Sequence, residues 1–409
     1  MSIDSSSSIQ TQTIWQLYRE LLVPVYLPSF LMAVCQGSVL LALPLFALDL
    51  GAGIGVTALV FSLRGLGNMA IDLPAGWAVA RFGDKAVMLA AVGLMLITAL
   101  LASQATSPLQ LGIAAFAFGS AVAAWLLARL THISDKVPAI QRGKAISTMA
   151  GIQRVGSLVG PVITGFVVHQ YSFEHAFYAI AIFACLTFLI VVFSVHAKPL
   201  QDEQEHHSIL KIVPHILKDH SRIFATAGVA ILCLTMVRAG RQLLVPLWGE
   251  HIGLTANEIG LVVGAAAAVD MLLFPIAGYV MDNFGRRYTA VVCLGGIALG
   301  LVVMPFTEHF YSFMFAVMIA GAGNGLGSGI NMTLGADYAP EAIRGQFLGV
   351  WRLVSDTGSL AGPVVIGYVA SLLGLFSAFP FIAGIGLLGS VIVIFTVKET
   401  LPKASTKAN

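Results

Sequence analysis

The chain has 409 residues, of which 57% are hydrophobic and only 10% charged, with a formal net charge of +2. Soluble domains carry about 25% charged residues, so this composition and a mean hydropathy of +0.88 exclude a water-soluble globular protein and point to the membrane class. No basic excess marks a nucleic-acid partner.

The first twenty residues, MSIDSSSSIQTQTIWQLYRE, are polar and lack a basic stretch ahead of an apolar core, so no cleaved signal peptide is expected; Ser5–Ser8 reads as a tail. Apolar runs then follow at approximately 22–47, 54–80, 86–105, 109–131, 144–169 and 173–195, and after a polar break at 223–248, 256–281, 287–306, 310–333, 346–371 and 376–397. Each has the length, about 20 residues, that crosses a bilayer. They are continuous rather than alternating, which predicts helices and not a barrel. The expected fold is all-α and integral to the membrane, with twelve transmembrane helices. Lys and Arg outside the spans sit at the termini or in even-numbered connections, and the odd-numbered connections have none. The positive-inside rule then places both termini in the cytoplasm, as in a multi-pass protein of a bacterial inner membrane. Cys35, Cys185, Cys233 and Cys293 lie within spans without metal-ligand spacing and read as small packing residues.

The chain repeats itself at an offset of 202. GSLVGPVITG at Gly156–Gly165 returns as GSLAGPVVIG at Gly358–Gly367, so that Gly156, Gly160, Pro161 and Gly165 map onto Gly358, Gly362, Pro363 and Gly367. Pro44 maps onto Pro246, and Gly76 and Gly83 onto Gly278 and Gly285. Two six-helix bundles in tandem are expected, 1–195 and 223–409, joined by a cytoplasmic linker at 196–222. Six helices per half give parallel repeats with a site between them.

GWAVARFGDK (Gly76–Lys85) and GYVMDNFGRR (Gly278–Arg287) resemble the loop signature of the major facilitator superfamily, and GSLVGPVITG resembles the helix-5 motif of its twelve-helix drug:proton antiporter branch. The resemblance implies alternating access between two bundles, coupling to protons, export of a small amphipathic or anionic solute or drug, and function as a monomer in lipid. It makes Gly76, Arg81, Gly83, Lys85, Gly278, Asp282, Gly285, Arg286 and Arg287 a latch that breaks when the halves rock. Two departures stand out: Ala80 occupies the position that Asp282 fills in the second half, and helix 4 has Ala115 and Phe116 near where the antiporters carry a mid-helix Arg. Physically, Gly76 and Gly278 would allow close helix approach, and Gly83 and Gly285 a tight turn. The arginines and Lys85 would bind carboxylates, helix ends or lipid phosphates.

No Walker A loop, catalytic triad or metal cluster is visible; QRGKAIS (141–147) has Gly-Lys without the rest of the loop. The chain is therefore expected not to be an enzyme and to need no cofactor or metal. The His206–His207 pair reads as linker.

Charges inside a bilayer default to functional candidates. Arg64, Asp72, Arg154, Arg238, Arg241, Asp270, Arg352 and Asp356 fall within spans. At about 1.5 Å per residue, Arg154 and Asp270 both lie about 15 Å from the cytoplasmic edge, on helices 5 and 8. Asp72 and Arg352 lie about 10–12 Å up on helices 2 and 11. These make two expected pairs across the halves. Arg64 and Asp356 match more loosely in depth. Position 154 maps onto 356, so one half carries Arg where the other carries Asp. Arg238 has Gln36 as its first-half counterpart. Gln36, Arg64, Arg238 and Arg241 are thus the substrate candidates, and Asp72, Asp270 and Asp356 the proton candidates. Five Arg against three Asp favour an anionic or zwitterionic substrate. An organic-anion uptake symporter, a lipid flippase and a non-transporting receptor are the alternatives.

Overall fold

The computed structural model describes residues 19–196 and 209–401; Ser5–Ser8 and His206–His207 lie outside them. Among the described residues, twelve helices are long and apolar enough to cross a membrane. They are α1 (Arg19–Asp49), α2 (Ile54–Phe82), α3 (Asp84–Ala102), α4 (Pro108–Lys136), α5 (Ala139–Gln170) and α6 (Phe173–Ser194). The second half supplies α7 (Ser221–His251), α8 (Ala256–Phe284), α9 (Arg286–Phe306), α10 (Phe310–Tyr338), α11 (Arg344–Leu373) and α12 (Leu375–Thr396). Because each half holds an even number of spans, residues 19, 196, 221 and 401 lie on one side, here called the termini face; the opposite side is the far face.

Packing follows the repeat. Helix α1 lies against α5 and α6, α2 against α4, and α3 against α4 and α6; correspondingly α7 lies against α11 and α12, α8 against α10, and α9 against α10 and α12. The halves meet along two seams, α5 with α8 and α2 with α11. Backbones are drawn together by glycine where no side chain intervenes: a Cβ on Gly119 would strike the Arg64 carbonyl, and one on Gly67 the Phe116 carbonyl.

The duplicated motif divides its glycines between two tasks. A Cβ on Gly156 would stand 2.6 Å from that of Ala33, and one on Gly160 2.8 Å from Ser38 N, so both seat α5 on α1. Gly358 and Gly362 seat α11 on α7 in the same way, against Leu232 and Met236. The last glycine of each motif faces the other half: a Cβ on Gly165 would lie 3.1 Å from Gly260 Cα, and one on Gly367 3.2 Å from the Gly55 carbonyl. Pro161 and Pro363 stand inside their helices, and the Pro161 carbonyl abuts Gly260. These contacts pack the two halves closely towards the far-face end of both seams. Towards the termini face Gly143, Gly151, Gly278, Gly345 and Gly349 have nothing within 4 Å.

Several expectations are corrected. Gly278 has no close neighbour and Gly76 meets only Leu127 at 3.9 Å, so neither mediates close approach. Gly83 and Gly285 do turn the chain, at φ +82° and +100°, which an L-residue rarely adopts. Cys185 is exposed, unlike the other three cysteines. The polar linker contains an amphipathic helix, Ile209–Asp219, packed on α11 through buried Ile216. Finally, α10 is broken: helix runs from Phe310 to Leu326 and again from Ile330 to Tyr338, with Gly329 at φ +87° between them. The first-half counterpart, α4, is continuous.

Candidate functional site

Midway along the seams lies a cavity of about 360 Å³. Its walls are apolar, with Leu40 from α1, Val245 from α7 and Val263 from α8 among them, and its polar groups converge from α5, α7, α8 and α10. Pockets of this kind, apolar with a few placed polar groups, are typical ligand sites. Arg154 projects from α5 with its guanidinium 3.8 Å over the Phe274 ring and its Nε 3.9 Å from Asp270 Oδ1. That ion contact is loose; a well-formed charge-assisted bond is near 2.8 Å. Asp270 instead accepts from the Asn324 amide and, at 3.5 Å, from Ser328 Oγ, both beside the break in α10.

The break also explains Arg238. Interrupting a helix frees carbonyls that need donors. Arg238 donates to the Gly327 carbonyl at 3.0 Å and to Cys293 Sγ at 3.6 Å. Arg241, one turn on, lines the cavity, and the charges acting on it include Asp270 and Arg238. The Nε atoms of Arg154, Arg238 and Arg241 are buried without a hydrogen-bond partner. Gln36 and Arg64 stand outside the lining. The Gln36 amide nitrogen is buried and unpartnered, whereas Arg64 stacks 5.1 Å over Phe61 and reaches the cavity wall only through Gln242, at 3.5 Å.

Nearer the termini face a second group bridges the halves. Arg352 donates to Asp72 Oδ1 at 2.6 Å, from α11 to α2, and its Nε lies 3.6 Å from Asp356 Oδ2, four residues on. Asp356 therefore joins Arg352, and Arg64 is not its partner. The Arg352 side chain is 44% exposed although it sits about 12 Å along α11 from Arg344. The space between the halves is open at this level.

The second-half loop motif binds within its own half. Arg286 is 3.5 Å from Asp282 and 3.2 Å from Asp337. Glu399, just past α12, accepts from Arg286 N at 2.9 Å and Arg287 N at 3.1 Å, the first amides of α9, and Arg287 donates to the Ile394 carbonyl. Burial raises the Glu399 carboxyl, but the backbone amides of Leu401, Arg286, Arg287 and Thr400 outweigh it and hold the group below the ordinary carboxylate range. In the first half Lys85 donates to the Val192 carbonyl at 2.9 Å, the counterpart of the Arg287 contact. Arg81 stacks 5.8 Å over Trp77. Asp84 meets His132 Nδ1 at 2.5 Å, both buried.

Four features escaped the sequence reading. Arg129 of α4 is 3% exposed, stacked 5.9 Å over Trp125; its presence inside an apolar span was the available signal. The glycine-dense run GAGNGLGSG at 321–329 marked the break. Phe274 and Glu399 gave no local signal, because their partners are remote in the chain.

A family model described as Major Facilitator Superfamily matches residues 25–240 and 227–409. The cis,cis-muconate transport protein of Acinetobacter baylyi is 25% identical over 320 residues, covering 75% of this chain and 76% of its own. The quinolone resistance protein NorA of Staphylococcus aureus is 26% identical over 165 residues, which is 40% of this chain and 41% of that one. Among solved structures, a point mutant of the nucleoside transporter NupG superposes with a TM-score of 0.77 at 15% identity, over 93% of this chain and all of its own. A D-xylose-proton symporter does so with 0.72 at 17% identity, over 95% and 98%.

Proposed function

The chain belongs to the major facilitator superfamily, a family of transporters rather than enzymes, and from that premise we propose that it carries a small organic anion by alternating access, exchanging it for protons in the direction of export. The observation that carries this reading is the mid-membrane cavity where Arg154, Arg238 and Arg241 face the single carboxylate of Asp270. Each charge held in hydrocarbon costs about 2.5–3.5 kcal/mol on insertion scales, and these cations exceed their partners. Alternation is supported by two unlike closures: the glycine seam on the far face, and the Asp72–Arg352–Asp356 bridge towards the termini face. Two carboxylates on one guanidinium leave a place for a proton; protonating Asp72 weakens its bond to Arg352 and releases α2 from α11. The positive-inside pattern puts the termini face in the cytoplasm of a bacterial cell. Export is supported by the Gly-Pro motif and by the similarity to a quinolone resistance protein.

A second reading, proton-coupled uptake, is favoured by the longer similarity to a cis,cis-muconate transport protein, whose named substrate is an organic anion. Flux into proteoliposomes under an imposed pH gradient decides. Accumulation of anion against its gradient, abolished by collapsing the pH difference, is expected, with the sign of the gradient separating export from uptake. Flux unchanged by collapse, or by Asp72→Asn and Asp356→Asn together, refutes proton coupling. Scrambling of labelled lipid without solute flux identifies a flippase.

A further inference from the structure

We propose that the substrate is a dianion, a small dicarboxylate, and that its second negative charge is set by the mismatch of charges lining the central cavity. The inference rests on the anion reading above and refines it. Among the described residues, the ionisable groups in the lining are Arg154, Arg238, Arg241 and Asp270, an excess of 3 − 1 = 2 positive charges. Arg64 is not counted, because it stands behind Gln242. The break in α10 does not change the sum: the end of the helix at Leu326 carries about half a negative charge and the start at Ile330 about half a positive one. It does change the distribution. Arg238 occupies the carbonyl end through Gly327, which leaves Gly329, at the amide end, facing the cavity.

Asp270 does not use up the excess. It accepts from two neutral donors, Asn324 and Ser328, and its nearest guanidinium contact is 3.9 Å away. Each of the three arginines retains a buried Nε without an acceptor, and a buried donor left unmade is costly. A monoanion would match one guanidinium and leave another uncompensated beside Leu40, Val245 and Val263. A dicarboxylate whose apolar spacer lies along those walls matches both, and planar carboxylates suit guanidinium forks.

The test compares straight-chain dicarboxylates of four to eight carbons with their monoamides, pairs of nearly equal size that differ by one charge. Half-saturation for counterflow is measured in proteoliposomes of the full chain. The wild-type protein is expected to favour at least one dicarboxylate over its monoamide by about 30-fold or more, the range for truncating one side of a desolvated charge pair. Arg241→Gln is expected to weaken that dicarboxylate by a similar factor and the monoamide by less than about 3-fold, so that the preference disappears. Arg241→Lys retains the charge and should retain the preference, which separates loss of charge from loss of fold. Equal handling of diacid and monoamide by the wild type, or a preference that survives Arg241→Gln, overturns the dianion and leaves the anion reading intact. Flux of neutral or cationic solutes without flux of any of these anions overturns both.

Discussion

The two halves build the same corner with opposite charges. At residue 84 the first half places an acid on the first turn of α3, where it accepts from the Lys85 amide at 2.7 Å and holds His132. At the equivalent residue, 286, the second half places an arginine on the first turn of α9. A cation there opposes the helix dipole. The missing anion is brought from outside the helix, by Glu399 on the two first amides and by Asp337 on the guanidinium. The first-half counterpart of Glu399 is Ala197, which has no carboxylate to bring. One half thus caps itself locally with a buried acid; the other is strapped by a distant segment whose Glu399 is exposed. A repeat fixes where a charge balance is needed and leaves open which residue supplies it.

The seam glycines set the baseline for this comparison, since there the halves are alike. Gly165→Leu and Gly367→Leu should each prise the far-face seam apart and reduce flux by about 100-fold or more, equally, because each side chain lands on the other half, on the Ala256 carbonyl and the Ala58 Cβ respectively. Gly151→Leu, with open space around it, should stay within about 2-fold. Unequal losses at 165 and 367 would break the symmetry of the seam. The corners should then differ. Asp84→Ala leaves a buried imidazole unpaired and is expected to cost about 3 kcal/mol, whereas Glu399→Ala removes an exposed cap and costs about 1 kcal/mol; thermal unfolding in detergent reads both. A larger loss at 399 than at 84 inverts the assignment of buried and strapped corners.

The next effect is in acid. Because the Glu399 carboxyl is held low in the folded chain, its contribution is complete above the unfolded value, about 4.3, and is lost as pH falls through the folded one. Wild type and Glu399→Gln should therefore differ in unfolding temperature at pH 7, with the gap shrinking progressively as pH falls below the unfolded value of about 4.3; a constant gap down to pH 3 would show that the carboxylate's charge is not what matters. The smallest effect concerns Ala80. Asp282 faces Arg286 across the turn at 3.5 Å, but an acid at 80 would face Asp84. Ala80→Asp should cost about 0.2–0.5 kcal/mol, and Asp84→Arg with His132→Asp should reverse its sign. The departure at Ala80 follows from the one at Asp84.

Much of this was legible because rise per residue and a gapless repeat convert position into depth. Arg154 and Asp270, and Asp72 and Arg352, are brought opposite one another by that arithmetic, and the twelve spans follow from apolar length alone. Depth says nothing about direction around a helix, however. Arg64 matches Asp356 loosely in height, yet turns to Gln242, and Gln36 stays out of the cavity its counterpart enters. The break in α10 was hidden by averaging: a glycine-rich run remains apolar enough to score as a span while lacking the side chains that hold a helix together. Contacts such as Glu399 on α9 join residues more than a hundred positions apart, and nothing local announces them.

The tightest contacts of the far-face seam are made by backbone, glycine and alanine, and the bridge towards the termini face is made by ions. Groups without protons to exchange or charges to screen are indifferent to the acidity and salt of the medium that bathes them. The ionic bridge responds to both. The close-packed backbone of the far-face seam is therefore indifferent to acidity and salt, although His169 of α5 acts on Glu258 of α8 at its edge; on the proposed mechanism it is chiefly through the ionic bridge that conditions at the termini face bias which way the molecule opens.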